Sequence, residues 1–376
     1  MNGHAITRKQ FSAAILVSLL SPLLRLLPQE AVKQAGPAAW LAAIPAILPL
    51  LFVAVLMEAY RRHMRPGEGM GGLLLRWLGP VFGRLVLVIY GAWFLFYAGF
   101  ILRIGASRLV DTIYPSSGPE LFVLVMLLLC FLASLGSLRA AARTAVIVRG
   151  ILIGALAVVL LFSLPNVEPK NLLPIGWGDA IPVLRGTWPY ATVGAVASCF
   201  SFLSGYVEPP KGKYKWMWSA LFGIVLLGGI ICGEVVSVFG ASLSTQLMYP
   251  FFVLIRNISI LNLVPRIEAV VIAAWVLADF MLCTMLLRCA HEALRSVFNL
   301  PVPDDQPMLS LKKGRFLLWL ETAAVYGLCF CFELTPDVMQ QWSARLIPII
   351  SNCLLYGGFL LLWLVTVPRR RKEKAK

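Results

Sequence analysis

Apolar stretches about 20 residues long recur along the whole chain. They lie at roughly 9–27, 38–58, 84–106, 118–137, 143–164, 187–207, 216–238, 266–290, 314–334 and 344–367. As an α-helix, each has the length of one bilayer crossing. Lipid offers the backbone no hydrogen-bond partner, so a crossing segment has to be a helix or a strand of a closed barrel. Period-2 alternation is absent, so the expectation is an all-α integral membrane protein with ten transmembrane helices. Composition agrees: 59% of the 376 residues are hydrophobic and 14% are charged, against about 25% charged in soluble domains. No segment is long or polar enough for a separate soluble domain, so residues 1–376 read as a single membrane domain.

Lys and Arg set the expected orientation, because cytoplasmic loops retain them. With the N-terminus inside, 24 of the 33 basic residues fall in inner segments, among them Arg8, Lys9, Arg61, Arg62, Arg65, Arg139, Arg143, Lys211, Lys213, Arg288, Arg295 and Lys312. Both termini are then cytoplasmic, and residues 368–376 form a basic tail. The net charge of +15 follows from this bias and from anionic lipid headgroups, without any nucleic acid. Arg8 and Lys9 before an apolar run resemble a secretory signal, but the run continues to Leu27 and further spans follow, so it reads as the first span. All eight cysteines lie in predicted spans, where they pack as small hydrophobes and imply neither disulfides nor a metal site.

Ten spans divide into two halves, about 9–164 and 187–367, and many transporters are built from five-plus-five inverted repeats. Each half begins with a span carrying helix breakers. In the first, Pro22 follows Ser18 and Ser21 and removes a backbone donor. In the sixth, Gly194 precedes Ser198, Ser201, Ser204 and Gly205. Broken first and sixth helices would offer unwound backbone and half-helix ends to a small polar ligand at mid-membrane. The competing reading is that Gly and Ser allow close packing and Pro only kinks.

Asp279, in the middle of the eighth span, is the acid expected at real depth, as a partner for a proton, a cation or a ligand amine, or as a polar packing contact. Arg103 and Glu234 are expected to reach an interface by snorkelling. Glu58 reads as a solvated boundary residue. His4, His63 and His291 are scattered among inner segments, so no histidine constellation is expected. The sequence has no phosphate-binding loop, Walker lysine or nucleophile elbow, which speaks against an enzyme and against any cofactor or metal.

Between the seventh and eighth spans, Pro250 suits the first turn of a helix that places Phe251, Leu254, Ile255 and Ile258 on one face and Arg256 elsewhere. Pro265 then signals a new start, with Arg266 directly after it and Glu268 in the first turns, where its charge meets the helix dipole. This segment is expected to lie on the outer side.

The pattern Tyr249-Pro250, Arg256, Ile258, Arg266-Ile267-Glu268 and Trp275 resembles the spore germination permeases, the B-type subunits of nutrient germinant receptors. Asn171-Leu172-Leu173-Pro174, Trp188-Pro189 and Tyr206-Val207 extend the similarity over most of the chain. The resemblance implies the fold of the amino acid, polyamine and organocation transporter superfamily, with a central pocket. It implies a germinant-sensing subunit that binds a small nutrient, often an amino acid, and acts with an A-type subunit and a lipoprotein C-type subunit in the spore inner membrane. Pocket residues would be Ser18, Ser21, Pro22, Ser198, Ser201, Ser204 and Gly205, with Tyr97 and Asp279 from the third and eighth spans. Tyr249, Pro250, Arg256, Arg266 and Glu268 would form an external lid. The chain departs from the family in having Ala191-Thr192 where Gly-Glu is frequent, and Ser21-Pro22 where a Gly-containing turn is usual. A proton- or cation-coupled amino acid transporter without a signalling role is the alternative, and a membrane scaffold is a third reading.

Overall fold

The computed structural model describes residues 6–65, 67–112, 117–208, 215–260, 267–300, 312–331 and 335–366. Among them the regular structure is helical, joined by short turns and loops, apart from one parallel bridge between Ile6 and Val207. The helices are α1 (Arg8–Ala35), α2 (Ala43–Arg61), α3 (Met70–Leu78), α4 (Pro80–Thr112), α5 (Pro119–Leu135), α6 (Leu138–Ser163), α7 (Ala180–Arg185), α8 (Thr187–Ser198), α9 (Lys215–Gln246), α10 (Pro250–Ile260), α11 (Ile267–Val297) and α12 (Lys312–Phe330). A final helical run comprises α13 (Pro336–Gln341), α14 (Ile347–Ser351) and α15 (Phe359–Val365), joined by π-helical turns at Trp342–Leu346 and Asn352–Gly358.

Most described residues of every predicted span are helical. Among the described residues, six stretches can cross a membrane by length and composition: Arg8–Arg61, Pro80–Val110, Leu138–Asn166, Ser219–Gln246, Val271–Val297 and Asp337–Val365. Large apolar side chains such as Leu48, Val81, Leu121, Ile147, Phe222 and Leu361 point outward in bulk, a surface that only lipid tolerates. The protein is a multi-pass membrane protein.

Helix α1 is the axis of the bundle. A reciprocal capping box starts it: the Thr7 hydroxyl accepts from the Gln10 N–H at 3.4 Å, and the Gln10 side chain accepts from the Thr7 N–H at 3.1 Å. Every residue from Phe11 to Gln29 is buried, because α6, α8, α9 and α11 surround it. The break expected at Ser18–Pro22 is corrected here: α1 runs without interruption across both Pro22 and Pro28. Each proline deletes one hydrogen bond, but a helix enclosed on all sides has nowhere to unwind, and neighbouring helices hold it. In the sixth predicted span the α-helix does stop, at Ser198, and the chain continues as a 3-10 helix over Cys199–Tyr206. Helix α9 bends at Gly240, whose φ of 70° and ψ of 164° suit only glycine.

Two further corrections concern charge. Arg288 and Arg295, counted as inner-loop cations, are buried within α11. Glu58 is buried rather than solvated, and its carboxylate accepts from Arg62 at 2.7 Å. Of the cysteines, six are buried, whereas Cys331 and Cys353 are exposed on the apolar surface.

Candidate functional site

Three helices meet at Asp279. The Ser21 hydroxyl of α1 donates to Asp279 Oδ1, and Arg108 Nη2 of α4 donates to Asp279 Oδ2 at 2.5 Å. Asp279 and Arg108 are each 4% exposed, so this is an ion pair out of reach of water. The Arg108 guanidinium also lies over the Trp275 ring, 4.0 Å from its centroid, and Trp275 is one turn before Asp279 on α11. Of the expected pocket residues, then, Ser21 and Asp279 are brought together. Arg108 is the member that sequence reading missed. Tyr97 is buried on α4, stacked on Trp93 with centroids 6.0 Å apart, and within electrostatic reach of Arg25 and Asp279.

One turn beyond Ser21, towards the Ala35 end of α1, Arg25 is buried, with Nη1 donating to Ser343 Oγ at 3.1 Å and the guanidinium over Phe100. Its Nε has no hydrogen-bond partner among the described residues. Arg25 borders a small open cleft of about 20 Å³ together with Gln29, Tyr249, Met339, Gln340 and Ser343. Tyr249 begins the predicted lid motif and so stands at the mouth of this cleft. Pro250 is the first residue of α10, and Phe251, Leu254 and Ile255 are buried against the bundle while Arg256 is exposed, as the helical period requires. Arg266 and the side chains of Ile258 and Glu268 lie outside the described residues.

The sixth-span residues stand apart from this centre. The Cys199 carbonyl meets Cys289, ten residues along α11 from Asp279, a distance of roughly 15 Å. Ser198 and Ser204 donate to their own backbone, at Ala195 and Ser201, while the Ser18 and Ser201 hydroxyls are buried with no partner among the described residues. Gly205 packs directly on the Glu68 carbonyl. It belongs to a seal at the Arg8 end of the bundle. There Arg61 donates to the carbonyls of Ser204, Val207 and Glu208 at 3.0, 2.6 and 2.9 Å, and the Ile6 N–H donates to the Tyr206 carbonyl. The Tyr206 hydroxyl donates to Glu292 at 3.0 Å and accepts from Arg295 at 2.5 Å.

Two other acids have partners. His291, expected in an inner segment, is instead buried within α11, where it pairs with Glu321 of α12 at 3.0 Å, and Glu321 was not singled out from the sequence. The Glu234 carboxylate accepts from the Ser163 hydroxyl, and Arg103 lies over the Phe330 ring at 5.2 Å. Among the described residues no three His, Cys, Asp or Glu side chains cluster as metal ligands would.

The arrangement is thus a buried ionic centre beneath a cleft that opens at one end, with the other end sealed. A solved structure of a Na+-coupled sialic acid symporter, substrate-bound and outward-open, matches this fold with a TM-score of 0.65. That match is at 13% sequence identity and covers 93% of this chain and 77% of the symporter. No curated protein matches the sequence. The spore permease family, described as spore germination protein, matches residues 5–310. A permease-like helical bundle matched over that length settles the assignment: the chain belongs to the spore germination permease family.

Proposed function

We propose that this protein is the germinant-sensing membrane subunit of a spore nutrient receptor, and that it binds a small nutrient, an amino acid, between α1, α4, α8 and α11. Family membership supports a germination role, and the symporter fold supports a bundle shaped around a small solute. The reading includes ten spans in two inverted halves, cytoplasmic termini, a location in the spore inner membrane, and A-type and lipoprotein C-type subunits as partners.

One observation carries the pocket assignment. Ser21, Arg108 and Asp279 join three different helices one turn of α1 from Arg25, which borders the cleft, so a ligand that reached this centre would meet groups whose rearrangement would move all three helices. We read the cleft end as outside and α10 as the lid. Ser18, with Pro22 leaving its carbonyl without a helical donor, supplies further unpartnered oxygens.

The test is binding and response together. The purified, reconstituted protein is expected to bind one or a few amino acids saturably, and spores carrying Ser21→Ala or Asp279→Asn are expected to need at least tenfold more of that nutrient to germinate. Absence of saturable binding by amino acids, sugars and nucleosides, or unchanged germination in both variants, removes the pocket assignment. The cation-coupled transporter reading draws on the fold shared with a Na+-coupled symporter. It predicts concentrative uptake into vesicles driven by a Na+ or pH gradient, which a receptor does not show.

A further inference from the structure

A carboxylate at the depth of Asp279 needs a cation, and three kinds can serve: a dissolved metal ion, a proton, or a side chain. The geometry points to Arg108 as a tethered replacement for a monovalent metal cation at Asp279, so that the bundle assembles and holds its resting state without Na+.

Four features of the junction support this. Arg108 Nη2 sits 2.5 Å from Oδ2 with both side chains at most 5% exposed, which leaves no water to screen the pair. The Ser21 hydroxyl donates to Oδ1, so each carboxylate oxygen already has a donor from the protein. The far side of the guanidinium rests on Trp275, whose ring compensates a desolvated cation and holds it in place. One turn along α1, finally, the Ser18 hydroxyl is buried without a partner among the described residues, and Pro22 deprives the Ser18 carbonyl of its helical donor. Carboxylate, hydroxyl and carbonyl oxygens are what a hard cation collects. At the Asp279 carboxylate a guanidinium takes that place.

The inference concerns the resting bundle, so it does not depend on what the ligand is. Its test uses thermal unfolding of the purified full-length protein in detergent, in NaCl or choline chloride at equal ionic strength, so that general screening cancels. Wild type is expected to unfold at the same temperature in both salts. Arg108→Gln, which strands the Asp279 charge, is expected to lose on the order of 10 °C in choline and to regain at least half of it in NaCl. Arg108→Lys keeps a tethered cation and is expected to remain indifferent to Na+. Should Arg108→Gln fail to assemble, the neutral double variant Arg108→Gln/Asp279→Asn is expected to assemble and to ignore Na+. A saturable Na+ stabilisation of wild type that Asp279→Asn abolishes would overturn the proposal. So would an Arg108→Gln protein as stable as wild type in choline, one rescued by acid but not by Na+, or a double variant that responds to Na+.

Discussion

At Gly205 a methyl group has nowhere to go. A Cβ built there would lie 1.8 Å from the Glu68 carbonyl oxygen, and both partners are backbone, so no rotamer change relieves the clash. Gly205→Ala is therefore expected to force the Arg65–Gly69 loop off the 3-10 segment, at a cost of about 1–3 kcal/mol, typical of overpacking. Gly150, on α6, has open space around the same position. Gly150→Ala should be neutral or stabilise by up to about 1 kcal/mol, since alanine restricts the unfolded chain and favours helix. Comparing apparent melting temperatures of the two variants in detergent checks the claim. Equal losses would mean that the Gly205 contact is not a close one. Sequence alone marked Gly205 as a helix breaker facing a ligand. Its actual neighbour is 137 residues away in the chain, and a backbone-to-backbone approach leaves no trace in side-chain pattern.

Helices α11 and α12 are joined by His291 and Glu321, both nearly inaccessible, in a pair that crosses between two apolar surfaces. Removing one member leaves the other buried without its partner, so Glu321→Ala is expected to destabilise by about 3–5 kcal/mol. Replacing both by leucine should come within about 1 kcal/mol of wild type, because well-packed apolar side chains often substitute for a buried ion pair at little net cost. A double-mutant cycle on unfolding midpoints measures this, and additive losses would show that the two side chains do not interact. The same elements show what was legible in the sequence. A 20-residue apolar run announces a helix whatever surrounds it, so the predicted spans all fall on helix. Helix α3, nine residues long, was missed because its buried side, Met70, Leu73, Leu74 and Trp77, is too short to stand out from a loop. Pro22 pointed to a broken helix, and packing on all sides of α1 overrode that local preference. Arg108 and Glu321 were missed for one reason: a buried charge is explained by a partner on another helix. For Arg108 that partner lies 171 residues away. The lid segment was the part most readable locally, since a 3.6-residue period put Phe251, Leu254 and Ile255 inwards and Arg256 outwards.

On the scale of the whole molecule, the two ends of the bundle are held differently. The Ala35 end is lined by side chains around a cleft, whereas the Arg8 end is closed by backbone: Ile6 pairs with Tyr206 and Glu208, and Arg61 gathers the carbonyls of Ser204, Val207 and Glu208. Hydrogen bonds to a charged group contribute about 1.5–3 kcal/mol each when shielded and less when part-exposed as here, so removing Arg61 is expected to weaken that end by about 2 kcal/mol in all. Cys199 and Cys289 lie behind this seal, both buried, with the Cys289 thiol 3.3 Å from the Cys199 carbonyl. They report opening without any added probe residue, because a thiol must reach water to react with a charged maleimide. In the purified protein, Arg61→Ala is expected to raise the labelling rate of Cys199 and Cys289 by roughly thirtyfold, the effect of about 2 kcal/mol on a local opening equilibrium. Cys331 and Cys353 lie on the apolar surface away from the seal, so whatever slow labelling the detergent permits there is expected to be unchanged by Arg61→Ala when sites are resolved by peptide mass spectrometry. Equal protection of Cys199 and Cys289 with and without Arg61 would place the lock instead in the Tyr206, Glu292 and Arg295 contacts, where Tyr206→Phe, which removes only the shared hydroxyl, is the variant that should then release them.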